Sequence, residues 1–176
     1  MNNNDILSRL RYALDLKDSA VVEMFTLGGL KTNRAEVKEM LTKTNEDSTD
    51  EMQMNEYAKE IDNMMLESFL NGLISSKRGV PENTSNAPQP FLMSEEGHRN
   101  VNNILLKKVK IALSLTSEDM LDILENAGVT ISKNELSAVL RKEGHRNYKP
   151  CGDRYARNFL KGLAYRYRDQ DQDNED

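Results

Sequence analysis

The amino-acid sequence predicts an all-α protein built from two tandem, pseudo-symmetric four-helix repeats joined by a proline-containing linker. Three observations predict it. The chain repeats itself: Ala13-Leu14-Asp15-Leu16 returns ninety-nine positions later as Ala112-Leu113-Ser114-Leu115, Gly29 as Gly128, and Glu36 as Glu135. Phe69-Leu70-Asn71-Gly72-Leu73 returns as Phe159-Leu160-Lys161-Gly162-Leu163, now ninety positions later. Within each copy, apolar residues recur at the three-and-four spacing of a helix face. Capping residues and glycines punctuate those runs where helices start and stop. The boundaries that follow are a first repeat at 1–78, a linker at 79–98, a second repeat at 99–168 and an acidic tail at 169–176.

The first helix opens with Asn4 as candidate N-cap, its side-chain oxygen accepting from a free N–H of the first turn. Ile6, Leu10, Ala13 and Leu14 make its apolar stripe, matched by Leu105, Val109, Ala112 and Leu113. A second helix is expected after the caps Asp18 and Ser117. Val21, Val22 and Phe25 line it, matched by Met120, Leu121 and Leu124. Gly29 and Gly128 end it, because glycine accepts the left-handed conformation after a helix C-terminus. The third helix starts at Asn33 or Ser132, each with Glu three places on, as in a capping box. It buries Val37, Met40 and Leu41, or Leu136, Val139 and Leu140.

The copies then diverge. The change of offset places nine extra residues in copy one, between Thr44 and Asp62, and a short additional helix is expected around Glu51–Lys59. The fourth helix starts near Asn63 or Asp153. It buries Met65, Leu66, Phe69, Leu70 and Leu73, or Tyr155, Ala156, Phe159, Leu160 and Leu163. Gly72 and Gly162 each cost such a helix about 1 kcal/mol relative to Ala. A glycine kept there twice predicts that another backbone packs closely against it. The linker holds three of the four prolines, which breaks any periodicity. Its apolar end, Phe91-Leu92-Met93, is expected to dock on a repeat. Asp169 to Asp176 reads as a disordered acidic tail.

Composition narrows the class. One Cys excludes an internal disulfide framework and suits a reducing compartment. The N-terminal stretch lacks the basic start and apolar run of a signal peptide, and no stretch approaches the length of a membrane span. The expectation is a cytoplasmic protein with no membrane partner. The net charge of −5 conceals an asymmetry. Residues 1–98 carry 10 Lys and Arg against 17 Asp and Glu, whereas residues 99–168 carry 14 against 7. Two such halves attract each other within one molecule or between two.

The chemistry-bearing residues are few. Lys107, Lys108 and Lys110 share one helix, and Arg154, Arg157 and Lys161 recur at helical spacing on another. Such a basic face can take phosphates; it reads more simply as a solvated face turned toward the acidic copy or the tail. His145, Asn147, Tyr148, Cys151 and Asp153 form a candidate loop site, with Cys151, His145 and Asp153 conceivable as nucleophile, base and orienter. Copy one argues against a thiol enzyme, because Ile61 stands opposite Cys151 and isoleucine replaces packing but not a thiolate. Glu96-Gly97-His98-Arg99-Asn100 recurs as Glu143-Gly144-His145-Arg146-Asn147, off the repeat offset and without metal-ligand spacing. Asp169-x-Asp171-x-Asp173 opens like a calcium loop but lacks the glycine at its sixth place. Asp119 to Leu140 reads as an ordinary helical pair, its loop too long for a DNA-binding helix-turn-helix.

The runs Asn3-Asn4-Asp5-Ile6-Leu7, Phe69-Leu70-Asn71-Gly72-Leu73-Ile74, Asn102-Asn103-Ile104-Leu105-Leu106-Lys107-Lys108 and Cys151-Gly152-Asp153 resemble the YehS-like family of small bacterial proteins. That resemblance covers both copies. It implies a bacterial cytoplasmic origin, a duplicated helical domain and no assigned activity. It also implies a Cys before the acid in copy one, where Ile61-Asp62-Asn63 stands instead. The function expected is therefore a non-enzymatic protein-interaction module without cofactor or metal, binding a protein partner or a second copy of itself. A nucleic-acid-binding regulator ranks second, and a thiol enzyme at Cys151 third.

Overall fold

A computed structural model of the chain describes residues 1–45, 54–79 and 89–168. Eight helices run through them: α1 (Asn3–Ala13), α2 (Asp18–Leu27), α3 (Arg34–Leu41), α4 (Asn63–Arg78), α5 (Val101–Ala112), α6 (Ser117–Asn126), α7 (Lys133–Leu140) and α8 (Asp153–Tyr167). Among the described residues, the β structure is a single isolated bridge between Lys43 and Tyr57. The two copies match helix for helix. Leu14 and Leu113 are both partly buried against the core, and Phe69 and Phe159 are both fully buried.

Several helix starts lie one or two residues earlier than the sequence suggested. Asn2, not Asn4, caps α1: its side chain accepts from the Asp5 N–H, and the Asp5 carboxylate accepts from the Asn2 N–H. Asn3 and Asn4 instead point inward. In α2 and α6, Asp18 and Ser117 are the first helical residues, after Lys17 and Thr116. Thr116 closes a full capping box with Asp119. Asn33 and Ser132 cap α3 and α7 as expected, but the Glu36 carboxylate takes the Thr32 hydroxyl rather than closing the box. Asp62 caps α4, while α8 follows Gly152, which frees the Asp153 carboxylate for other partners.

Residues 54–59 are not helical, and the rest of the expected extra helix lies outside the described residues. Tyr57 pairs with Lys43, Thr44 N–H donates to Glu56 O at 2.9 Å, and Ala58 N–H donates to Thr42 O at 3.0 Å. Backbone groups held by this neighbouring strand-like segment cannot also close helical turns. The pairing carries Tyr57 to Asp5, where its hydroxyl donates at 2.6 Å.

The expectation for the glycines holds. Gly29 and Gly128 sit at φ +93° and +92°, each just past a helix end. A Cβ on Gly72 would stand 1.6 Å from Met24 O, and one on Gly162 2.1 Å from Ile123 O. The fourth helix of each copy thus crosses the second at backbone contact. Phe69 meets the Phe25 ring at 5.5 Å beside that crossing.

The copies are not independent bundles. α1 packs on α8 and α4 packs on α5, so the first helix of each copy lies against the fourth of the other. One continuous apolar core runs through both. Matching hydrogen bonds mark the pseudo-twofold relation. Arg78 donates to Ile111 O at 3.3 Å, and Arg168 donates to Tyr12 O at 3.0 Å, where Ile111 and Tyr12 are equivalent positions.

Candidate functional site

The repeated Asn-Asn pair is structural. Asn103 Nδ2 donates to Val139 O and Lys149 O, both at 2.9 Å, and its Oδ1 accepts from the Cys151 N–H at 2.9 Å. Asn4 does the same to Met40 O, Lys59 O and the Ile61 N–H. Asn102 and Asn3 reach the start of the fourth helix through Asp153 and Asn63. Each pair ties the first helix to the end of the third and the loop before the fourth. The sequence signal was available: these amides recur without exchange, whereas the equivalent cap positions differ between copies, Lys17 against Thr116, Asn33 against Ser132 and Asp62 against Gly152. Asn103→Ala strands one buried N–H and two carbonyls, so about 2–3 kcal/mol of stability is lost. Asn4→Ala is expected to match it within about 1 kcal/mol in urea unfolding. A cost near zero in either copy contradicts the assignment.

The candidate loop site does not assemble for thiol chemistry. Cys151 is buried, and burial together with the Asp153 charge pushes its thiol up to about 12, leaving it protonated at neutral pH. Its Sγ points to Gly152 O at 3.7 Å. His145 is exposed, its Nδ1 accepting from the Asn147 N–H at 3.1 Å. Tyr148 is half-buried, and desolvation raises its hydroxyl. Asp153 accepts from Asn102 at 2.9 Å and from the Met1 ammonium at 3.2 Å. Burial alone would raise that carboxyl, but these two donors together hold it below the ordinary Asp value. Of the five, Cys151 and Asp153 tie the loop to α5 through Asn103 and Asn102, whereas His145 and Asn147 stay exposed and bond to each other.

The six-residue basic face splits. Lys108 is buried, its Nζ 2.9 Å from a carboxylate oxygen of the equally buried Glu67 on α4. It also donates to Asn71 Oδ1 and, at 2.8 Å, to Pro90 O. Burial pushes its ammonium below the ordinary Lys value, and the Glu67 carboxylate opposes that shift. Lys108 is therefore a bridge between the copies, not part of a solvated face. The same carboxylate accepts from the Leu92 and Met93 N–H groups, at 2.7 and 2.9 Å. The linker end docks as expected, through these backbone bonds and the Met93 side chain packed against the core, while the Phe91 and Leu92 side chains remain 51% and 40% exposed.

Lys107 and Lys110 are half-buried on α5. Arg154, Arg157 and Lys161 are exposed along α8, and none of them forms an ion pair among the described residues. Arg9, from the first copy, joins Lys161 in lining a cavity of about 420 Å³ between α1 and α8. Nothing in the local pattern singles out Arg9, because it lies in the acidic copy. A second cavity, about 620 Å³, lies beside the first turn of α1, with Asn3, Tyr57, Asp62 and His98 in its wall.

The doubled four-helix architecture, with its repeated amide joints, defines the class. The chain belongs to the family described as protein of unknown function (DUF1456), whose profile matches residues 3–79 and again 102–169. It is 36% identical over 166 residues to the uncharacterized protein YehS of Escherichia coli (strain K12), covering 94% of this chain and 96% of that protein. No solved structure matches. Among the described residues, no helix is long and apolar enough to cross a membrane.

Proposed function

We propose that this protein is a non-enzymatic, cytoplasmic interaction module that takes an acidic segment of a partner protein on the α8 face. The observation that carries this reading is the row Arg154, Arg157 and Lys161, exposed and without a carboxylate partner among the described residues. By contrast, Lys108 is fully neutralised within the fold. Three cations at successive turns draw a polyanion over a Debye length of about 8–10 Å. A lone buried thiol fits the reducing cytoplasm.

The test is a fluorescence-anisotropy titration with a labelled oligoglutamate peptide, alongside single-stranded RNA and DNA probes. It uses the full chain with Asp169, Asp171, Asp173 and Asp176 changed to Asn and Glu175 to Gln, which removes an acidic competitor adjoining α8. Peptide affinity is expected to fall about tenfold or more between about 50 and 300 mM salt. Arg154→Ala/Arg157→Ala/Lys161→Ala should abolish it. Absence of peptide binding at low salt refutes the reading, and binding of the oligonucleotides alone replaces it with a nucleic-acid regulator.

A further inference from the structure

The two interfaces between the copies are equivalent in geometry and opposite in content. Across α4 and α5 the groove is filled by the chain itself. Asn71 donates to Gln89 O, Lys108 donates to Pro90 O, and Glu67 accepts the Leu92 and Met93 N–H groups. Across α8 and α1, the positions equivalent to Lys108, Glu67 and Asn71 are Arg9, Arg157 and Lys161. There the groove is an open cavity of about 420 Å³, with Tyr12, Leu160, Ala164 and Tyr165 giving it an apolar lining. Tyr12 and Tyr165 are 56% and 42% exposed.

We infer that this second groove binds an extended acidic chain, and that its resident occupant is the protein's own segment Asp169 to Asp176. The inference rests on the proposed acidic-segment binding for its ligand chemistry, and adds the location and the regulation. Replacing Glu67 by Arg157 removes the acceptor that held backbone N–H groups in the first groove. An occupant of the second groove must therefore bring its own carboxylates, which Arg9, Arg157 and Lys161 receive as charge-assisted hydrogen bonds. Segment 169–176 carries five acids and no base.

The exit of α8 delivers that segment to the place. Arg168 donates to Tyr12 O and stacks over the Tyr12 ring at 3.9 Å, so the chain leaves the helix at the groove's edge. Lys161 lies about 9 Å and Arg157 about 15 Å back along α8 from Tyr167. Eight extended residues span about 26 Å, enough to reverse and return. The first groove is filled by the same manoeuvre, since residues 89–93 follow α4 and lie back against it. A tethered occupant acts at millimolar effective concentration, so a partner must displace it.

The direct test places a nitroxide on Asp176→Cys in the full chain, the buried Cys151 being spared by the label. Paramagnetic broadening of amide signals is expected at Arg9, Tyr12 and 160–165 at about 50 mM salt. It should disappear in Arg157→Glu/Lys161→Asn, which restores the residue types of the first groove. No localised broadening at low salt, or broadening that ignores the double variant, overturns the inference. Neutralising the five tail acids should also strengthen oligoglutamate binding about tenfold. Equal binding by native and neutralised chains overturns tail occupancy while leaving the proposed function intact. Localised broadening without any peptide binding leaves tail docking standing and removes the function.

Discussion

Glu67→Ala is expected to lower stability by about 3–5 kcal/mol, because it leaves the Lys108 ammonium buried without its countercharge. Both side chains are almost wholly inaccessible, at 1% and 3% exposure, so solvent does not screen the loss. The Leu92 and Met93 N–H groups lose their acceptor in the same step. Glu67→Gln should cost less than Ala, since an amide oxygen still accepts one of those bonds, yet it cannot neutralise Lys108. Lys108→Met in the Glu67→Ala background should recover part of the deficit, having removed the stranded charge. The remainder measures the docking of residues 92 and 93. Urea unfolding of the four proteins decides it. If Glu67→Ala unfolds like the native chain, the ion pair does not join the copies.

How far the sequence disclosed this arrangement depends on the range of each interaction. Helix faces are written locally, so the stripes through Ile6 and Leu105, or Phe69 and Phe159, were readable from spacing and repetition. Gly29 and Gly128 were readable because a positive φ is a backbone requirement met within one turn. Caps were readable to within a residue or two, since several adjacent polar residues qualify and only packing chooses among them. Asn2 wins over Asn4 because Asn4 is consumed by Met40, Lys59 and Ile61, partners distant in sequence. Lys108 was misplaced for the same reason. On its own helix it looks like one more member of a basic run, and only the reciprocal packing of copies brings Glu67 to it. The cationic row on α8 was legible, but the contribution of Arg9 was not. Its role emerges from comparing position with position across the pseudo-twofold relation, after the structure has shown which groove is filled.

That same relation makes the glycine crossings a sharp test of the fold. In an isolated helix Gly72→Ala would be favourable by about 1 kcal/mol. Here the added methyl would stand 1.6 Å from the Met24 carbonyl oxygen, and backbone has no rotamer with which to yield. The Gly28 position doubles the constraint, a Cβ there meeting Ser68 O at 1.7 Å, so α2 and α4 touch backbone to backbone at two points. Relief requires the helices to separate, opening space around Phe25 and Phe69. The net loss for Gly72→Ala is therefore expected at the upper end of overpacking costs, about 3 kcal/mol or more. Gly162→Ala should follow in the same direction with a smaller loss. Its clash with Ile123 O is longer at 2.1 Å, and part of the crowding comes from the Ile123 Cγ2 methyl, which has rotamers. Gly152→Ala is the control: nothing lies within 4 Å of its added methyl, and its backbone is at φ −76°. It should change stability by less than about 1 kcal/mol. Thermal and urea unfolding that ranked Gly152→Ala worst, or showed Gly72→Ala more stable than native, would separate α2 from α4 and dismantle the shared core on which both grooves depend.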